Sequence, residues 1–242
     1  MREEDFIFSE KKIYCGEKLD HLLAMGFYRM QHVMFTTSHA HIDASPDPID
    51  VFWIRTNLHT IKQSKKRREI TKKCASFSVQ LKPAVITPEI ENLFAMYREM
   101  VPFSTSDTCR NYLHHDFIAN PFDSKLIEIR DNQLLIAAGY FDAGKKAIAG
   151  ILNFYHPAYR HYSLGKFLML KKIEFALQQN MDWYYTGYIS TQNSKFDYKI
   201  FPNEDCIEVF LPNEKTWEPF TIWNKTKLSK YIANSSNDYF IY

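Results

Sequence analysis

The sequence predicts an α+β fold, and two observations lead to this prediction. Three β-rich runs, KLIEIRD, QLLIAAGYFD and KAIAGILNFYHP, follow one another from about Lys125 and are joined by the turns DN and DAGKK. Runs so closely spaced form an antiparallel meander. A long helical pattern, a strand, a short helical segment and a further strand come next, and helices beside such a sheet give an α+β layer fold.

The long helical pattern is SLGKFLMLKKIEFALQQN, which predicts an amphipathic helix. Its apolar side carries Phe167, Leu170, Ile173 and Leu177, and its other sides carry Lys166, Lys171, Lys172 and Gln178. The predicted strands MDWYYTGYI and CIEVFLP follow. The order β-β-β, helix, β, short helix, β is that of an N-acetyltransferase-like (GNAT) fold, so we expect a GNAT-like mixed sheet with packed helices.

The sequence upstream of the meander predicts a smaller α/β unit. A helix is predicted at CGEKLDHLLAMGF, with Gly26 as its C-terminal stop, and strands are predicted at HVMFTT, DVFWIRT and SFSVQLKP. A second helix begins in ITPEIENLFAMYREMV, where Thr87 can cap it and Pro88 can occupy its first turn. We expect an N-terminal subdomain over residues 1–85 and a GNAT-like domain over residues 86–242.

One segment of the chain is strongly basic. Formal net charge is only +2 over 242 residues, so nucleic-acid binding would need a local patch. KQSKKRREITKK supplies one, with seven basic residues in twelve positions against one acid: Lys62, Lys65, Lys66, Arg67, Arg68, Lys72 and Lys73. Such a run is either a solvated face or a surface that binds a nucleic-acid phosphate backbone.

Other features of the sequence indicate which classes of protein are excluded. No apolar run approaches the roughly 20 residues of a membrane span, and the start MREEDFIFSE lacks the features of a signal peptide. The four cysteines lie far apart without CxxC spacing, which predicts a cytoplasmic protein with reduced thiols. The string formed by His39, His41 and Asp43 offers only three local ligands, one fewer than a structural zinc site needs, so no metal is predicted.

The segment between the last two strands holds the main site candidates. Lys195, Tyr198 and Lys199 are spaced to share one face of a helical turn, where they suit a small anionic group or form a plain solvated turn. Tyr188 leaves the preceding strand beside Gly187. Two further positions are weaker. His156 ends a strand and is either a base or a histidine without a role. Ser163 and Gly165 open the long helix, where free N–H groups can bind a phosphate or Ser163 can simply cap.

The stretch from FYHPAYRHYSLGKF to KFDYKIFP resembles the C-terminal domain of the aminoacyl-tRNA–protein transferases, the arginyl-transferring enzymes and their bacterial leucyl-transferring relatives. SLG at the helix start, the aromatic strand ending in GY, and K-F-D-Y-K followed by F-P carry the resemblance. LLAMGFYR, VFWIR and SKKRR extend it more weakly upstream. The chain departs from the family in lacking its N-terminal cysteine cluster, and Asn193 stands where a cysteine is frequent.

The resemblance implies transfer of an amino acid, Arg or Leu, from aminoacyl-tRNA to an acceptor protein beginning with Asp or Glu. Aminoacyl-tRNA is then the co-substrate, no cofactor is needed and no membrane partner is expected. The implied catalytic residues are Tyr188, Lys195, Tyr198, Lys199 and His156, and the basic segment with Ser163 and Gly165 would contact tRNA. The alternatives are an acetyl-CoA-dependent GNAT N-acetyltransferase and a catalytically silent relative that binds tRNA or N-termini.

Overall fold

The computed structural model describes residues 13–41, 47–103, 105–113, 120–231 and 239–241. The strands are β1 Tyr28–Met30, β2 Val33–Thr36, β3 His39–Ala40, β4 Ile49–Asn57, β5 Ser78–Pro83, β6 Ser124–Asp131, β7 Leu134–Ala143, β8 Ala147–Tyr155, β9 Trp183–Ser190, β10 Ile207–Leu211, β11 Thr216–Pro219 and β12 Tyr239–Ile241. The α-helices are α1 Gly16–Ala24, α2 Lys65–Lys73, α3 Pro88–Met100, α4 Arg110–Leu113, α5 Leu164–Gln178 and α6 Lys225–Leu228. Short 3-10 helices span Leu58–Thr60, Pro157–Tyr162, Ser194–Lys199 and Glu204–Cys206.

A nine-stranded mixed sheet dominates the structure. Its strands run in the order β11-β10-β4-β9-β8-β7-β6-β5, with β3 added beside β4, and β8 and β9 form the parallel pair in an otherwise antiparallel sheet. β6, β7 and β8 form the predicted antiparallel meander. The α+β, GNAT-like prediction is therefore confirmed. β4 and β5, which precede residue 86, are part of this sheet, and the division after residue 85 stays a prediction.

Helices cover both faces of the sheet because the side chains of its strands alternate between two cores. On one face, α5 and Ile70 of α2 pack on Ile127, Ile129 and Ile136. On the other face, α3 packs on Leu126 and Leu135. α1 packs on this second face too, against Trp53 and Tyr185. A small separate sheet is formed by β1, β2 and β12.

The predicted second helix, α3, is capped as its sequence indicates. The Thr87 side chain accepts a hydrogen bond from the Ile90 amide, and Pro88 occupies the first turn. In contrast, the predicted faces of α5 are partly wrong. Lys172 is fully buried, whereas Leu177 is 44% exposed. The cause is that α5 buries residues on most of its circumference, so the helical period does not single out one polar side.

Among the described helices, α5 is the longest at 15 residues, and none is long and apolar enough to cross a membrane. None of the four cysteines, all of which lie in described residues, forms a disulfide. The basic segment forms α2, whose start is capped by the side chain of Ser64 accepting from the Arg67 amide. α2 contacts α5 through its single buried residue, Ile70, which leaves its basic side chains outside the core.

Candidate active site

Two strands separate at the centre of the sheet and open a site between them. The parallel pairing of β8 and β9 ends at Ala149 and Tyr185. Just beyond, each strand carries one extra residue relative to its outer neighbour, Ile151 against β7 and Thr186 against β4. Such bulges bend a strand and turn its backbone away from regular pairing. The two bulges therefore account for the gap between the C-terminal halves of β8 and β9.

Two adjoining cavities fill this gap. The smaller, of about 360 Å³, reaches from Gly150 and Gly187 to Tyr28 and Trp53. The larger, of about 800 Å³, lies toward Phe103 and the start of α5. They share six lining residues: Tyr112, Ile151, Leu152, Asn153, Tyr188 and Tyr198. Their size and mainly apolar and aromatic lining are typical of small-ligand sites.

Lys199 lines the smaller cavity in a crowded, partly buried position. Its Nζ donates a hydrogen bond of 3.0 Å to the Tyr188 carbonyl oxygen and lies 4.6 Å and 4.9 Å from the ring centroids of Tyr188 and Phe196. Burial, and secondarily the Lys195 ammonium, lower the pKa of Lys199 to about 7. The amine therefore changes charge near neutral pH, unlike an exposed lysine.

The backbone at Gly187 makes room for the Lys199 side chain. Gly187 has φ +103°, and a Cβ added there would lie 2.9 Å from Lys199 Nζ. A side chain at this position would therefore clash with the amine and strain the backbone. The glycine of the GY motif is thus favoured first by its positive φ, and an added side chain would also displace the Lys199 amine from its present position.

Tyr198 and Lys195 complete the short helical segment. Tyr198 lines both cavities, and burial of its hydroxyl raises the pKa of Tyr198 to about 12, although half of the residue's surface is exposed. Lys195 lines the larger cavity, with Nζ 3.9 Å from the ring centroid of Phe103. The Asn193 side chain accepts from the Lys195 amide and so caps the segment. The structure brings Tyr188, Lys195, Tyr198 and Lys199 together.

His156 is not brought to this site. It lines neither cavity, and its Nδ1 accepts a hydrogen bond of 3.2 Å from the Ala158 amide at the start of a 3-10 helix. Its ring also packs edge-on against Tyr159. Its role as a base stays a prediction, without a contact to the cavities that supports it.

Ser163 and Gly165 both line the larger cavity at the start of α5. Ser163 has a left-handed backbone, φ +58°, and its hydroxyl makes no capping hydrogen bond. The alternative in which Ser163 caps the helix by its side chain is therefore wrong. Arg160, Ser163 and Lys166 line the cavity here, so the polar groups at this end are suited to an anion.

The basic helix α2 adjoins this end of the larger cavity. Burial and the neighbouring Lys66 ammonium lower the pKa of Lys166, a cavity-lining residue of α5. Like charges this close favour an anionic ligand between them. The other basic side chains of the segment lie along α2 or just before it: Lys62, Lys65, Arg67, Arg68, Lys72 and Lys73. Arg67 is the least exposed, and its guanidinium donates to the Lys62 carbonyl oxygen.

Two residues of the site were not predicted from the sequence. Asn153 of β8 lines both cavities. Behind it, Lys172 of α5 donates from Nζ to Asn153 Oδ1 at 2.8 Å and to the Tyr140 carbonyl oxygen at 2.7 Å. Burial lowers the pKa of Lys172 to about 7. The sequence did offer one indication: Asn153 is a polar residue inside the otherwise apolar run ILNFY.

No metal centre is found within the part of the chain that the structure describes. In the HxHxD string, His39 lies 3.5 Å from the carboxylate of Asp50 in β4. His41 lines the larger cavity, and Asp43 falls outside the described residues.

The comparisons with known proteins agree with the resemblance noted from the sequence. Residues 89–202 match the family described as arginine-tRNA-protein transferase, C terminus. The chain is 35% identical over 88 residues to an aspartate/glutamate leucyltransferase of Campylobacter jejuni (strain RM1221), which covers 35% of this chain and 37% of that protein. Identity to the aspartate/glutamate leucyltransferase of Saccharophagus degradans is 25% over 169 residues, 66% of this chain and 69% of that protein.

The matched region thus spans just over a third of the Campylobacter relative's length. Among solved structures, FemX aligns with a TM-score of 0.45 and 10% identity, covering 93% of this chain and 66% of that one. The family match contains the meander, α5, β9 and the segment with Lys195 and Lys199. Residues 89–202, just under half of the chain, are therefore similar to the C-terminal region of the arginine-tRNA-protein transferases.

Proposed function

We propose that this protein transfers an amino acid from aminoacyl-tRNA to the α-amino group of an acceptor protein that begins with Asp or Glu. The observation that carries the proposal is the coincidence of the family match with the cavities where β8 and β9 separate. The names of the bacterial relatives favour leucine as the transferred residue, and arginine remains the other candidate.

The chemistry asks little of an acid or base. The acceptor nitrogen attacks the ester carbonyl carbon, the new N–C bond forms, and the bond from that carbon to the ribose oxygen breaks. The amine's proton ends on the ribose hydroxyl, so the products are a peptide bond and free tRNA. An α-amino group has a pKa near 7.7–8.0, so a useful fraction is already neutral. Orientation of the two substrates and stabilisation of the oxyanion supply most of the rate enhancement.

The two cavities suit the two substrates. The end of the larger cavity near Ser163, Gly165 and Lys166 adjoins α2, so the 3′ end of tRNA would enter there. The α2 lysines and arginines would bind the phosphates that follow. The smaller cavity, beside Lys199, would hold the acidic N-terminal residue of the acceptor. Tyr198 lines both cavities and would orient the attacking amine between them.

The test offers the protein a pool of tRNA charged with radiolabelled amino acids and peptides that begin with Asp, Glu, Arg, Lys or Ala. We expect label on the Asp and Glu peptides, and the labelled amino acid identifies the donor. Replacing both Lys195 and Lys199 by Ala should abolish transfer while leaving the circular dichroism spectrum unchanged.

Two results would contradict the proposal in different ways. Label only on a peptide with a basic N-terminus would retain the reaction but refute the role of Lys199. Tight tRNA binding without transfer to any peptide would favour the silent relative. A parallel reaction with labelled acetyl-CoA tests the acetyltransferase alternative directly.

A further inference from the structure

Asn153 has one half of its amide fixed and the other half facing the cavities. Its Oδ1 accepts from Lys172 Nζ at 2.8 Å, and its side chain lines both cavities where β8 and β9 separate. In its ammonium form Lys172 can only donate, and its Nζ also donates to the Tyr140 and Leu152 carbonyl oxygens, so the amide oxygen is the atom of Asn153 that faces it. The Nδ2 group, with two N–H donors, is then directed away from Lys172, and no hydrogen bond from it to another described residue is found.

Burying Lys172 carries a large free-energy cost for a residue that holds one side-chain amide. The residue has no exposed surface and contacts two carbonyl oxygens and Asn153 rather than a carboxylate. Burying an ammonium without an ion-pair partner disfavours folding. A methionine or leucine would fill the space without this cost. The lysine is therefore explained by what it positions, and Asn153 is the contacted side chain that reaches the site.

The strand beside Asn153 is shaped for this contact. Gly139 of β7 lies opposite Asn153 in the sheet register. A Cβ added at Gly139 would lie 2.7 Å from Asn153 Oδ1 and 3.0 Å from a Leu168 methyl carbon. Any larger residue would push Asn153 out of reach of Lys172. Three positions on β7, β8 and α5 thus agree in fixing one amide orientation.

We propose that the Asn153 side-chain amide binds the carbonyl oxygen of the aminoacyl ester and stabilises the oxyanion formed on attack, with Lys172 as its positioning residue. This inference rests on the proposed function. The ligand class is an acyl carbonyl flanked by a ribose and an α-amino group. Because Oδ1 is already held, the amide donates to the ligand without first reorganising, which is what makes a donor effective for a developing negative charge.

The decisive variant is Asn153→Asp. It keeps the shape of the side chain, replaces the N–H donors by an oxygen, and places a carboxylate beside the Lys172 ammonium, so folding is retained. We expect kcat for transfer to fall by about 10²–10³-fold, the typical loss of one oxyanion donor, while KM for charged tRNA rises by no more than the roughly tenfold that one ground-state hydrogen bond is worth. Lys172→Met should lower kcat by a smaller factor and raise KM for charged tRNA by less than Asn153→Asp does. The melting temperature of both variants controls for folding.

A second measurement does not depend on turnover. The stable amide analogues 3′-leucylamino- and 3′-arginylamino-3′-deoxyadenosine present the same carbonyl, and we expect Asn153→Asp to weaken binding of the accepted analogue about tenfold, the value of one hydrogen bond. If the wild type transfers no amino acid but the analogue binds through Asn153, the proposed function fails, and the carbonyl-binding part of this inference stands without it. Wild-type kcat in a folded Asn153→Asp variant, or analogue binding that is unaffected by the substitution or absent, would overturn the inference.

Discussion

A single lysine, Lys199, determines how the proposed acceptor site responds to pH. Burial sets its pKa at about 7, so its ammonium form is lost as the pH rises through neutrality. If this ammonium binds the acceptor's carboxylate, KM for an Asp-initiated peptide should rise above pH 7 relative to KM for the matched Asn-initiated peptide. Deprotonation of the acceptor's α-amino group, near pH 7.7–8.0, affects both peptides alike and so cancels in the ratio of their KM values. The measurement is steady-state transfer from pH 6 to 8.5 with both peptides.

Lys199→Met should remove the discrimination between these two peptides. The loss of a charge-assisted hydrogen bond is worth about 1.5–3 kcal/mol, or roughly 10- to 100-fold in KM for the Asp peptide. An unchanged preference for Asp in a folded variant would show that another group binds the carboxylate.

Lys172 makes stability depend on pH in the opposite direction from a salt-bridged lysine. Its folded pKa of about 7 lies below the usual value of 10.5, so the unfolded chain binds more protons between these values. The free energy of unfolding should therefore gain from Lys172 as the pH rises above 7. In Lys172→Met the slope of the free energy of unfolding against pH should be smaller by about 1 kcal/mol per pH unit. Urea unfolding at pH 7, 8 and 9 measures it, and equal slopes would contradict the buried-charge interpretation.

At the scale of elements, the backbone at the bulged end of β9 determines where the Lys199 amine can lie. Gly187→Ala would place a methyl group 2.9 Å from Lys199 Nζ at a positive φ, so transfer should fall at least tenfold. Gly16→Ala is the matched control. Gly16 also has a positive φ, +55°, but its added Cβ meets nothing within 4 Å. Equal losses of activity in the two variants, at equal melting temperatures, would show that displacement of Lys199 does not matter.

The basic helix α2 gives a second prediction at this scale. Lys66→Ala/Lys72→Ala removes two exposed charges and should make tRNA binding less steeply dependent on salt, by about 0.9 in log K per log salt for each phosphate that the variant no longer neutralises. Lys227→Ala/Lys230→Ala, with Lys227 in α6 and Lys230 two residues after its end, removes the same charge from another surface. Binding titrations at several salt concentrations compare the two. The same decrease in both variants would mean that net charge, not α2, is responsible.

The elements themselves were predictable where their patterns are local. The turns of the meander and the Thr87-Pro88 start of α3 are specified by neighbouring residues, and each was predicted correctly. The position of Lys172 was predicted wrongly because α5 is covered by the sheet on one side and by α2 on another. A lysine in such a helix cannot be assigned to a polar face from its period alone.

At the scale of the whole molecule, the site depends on contacts that the sequence does not display. Lys195, Tyr198 and Lys199 were predictable as a group because they lie within one short segment. Asn153 and Lys172 come together across two elements, and Tyr28 reaches the smaller cavity from β1. These positions follow only from strand register and from the separation of β8 and β9, which no local pattern encodes.

The central claim is that the free α-amine of an acidic N-terminus receives the amino acid, and one measurement tests it directly. An Asp-initiated peptide and its Nα-acetylated twin are incubated with the protein and tRNA charged with leucine or arginine, and their masses are compared by mass spectrometry. The account predicts a gain of one leucine or arginine residue on the free peptide and no change in the acetylated one. A mass gain on the blocked peptide, or none on either peptide with the protein folded and the tRNA still charged, would contradict it.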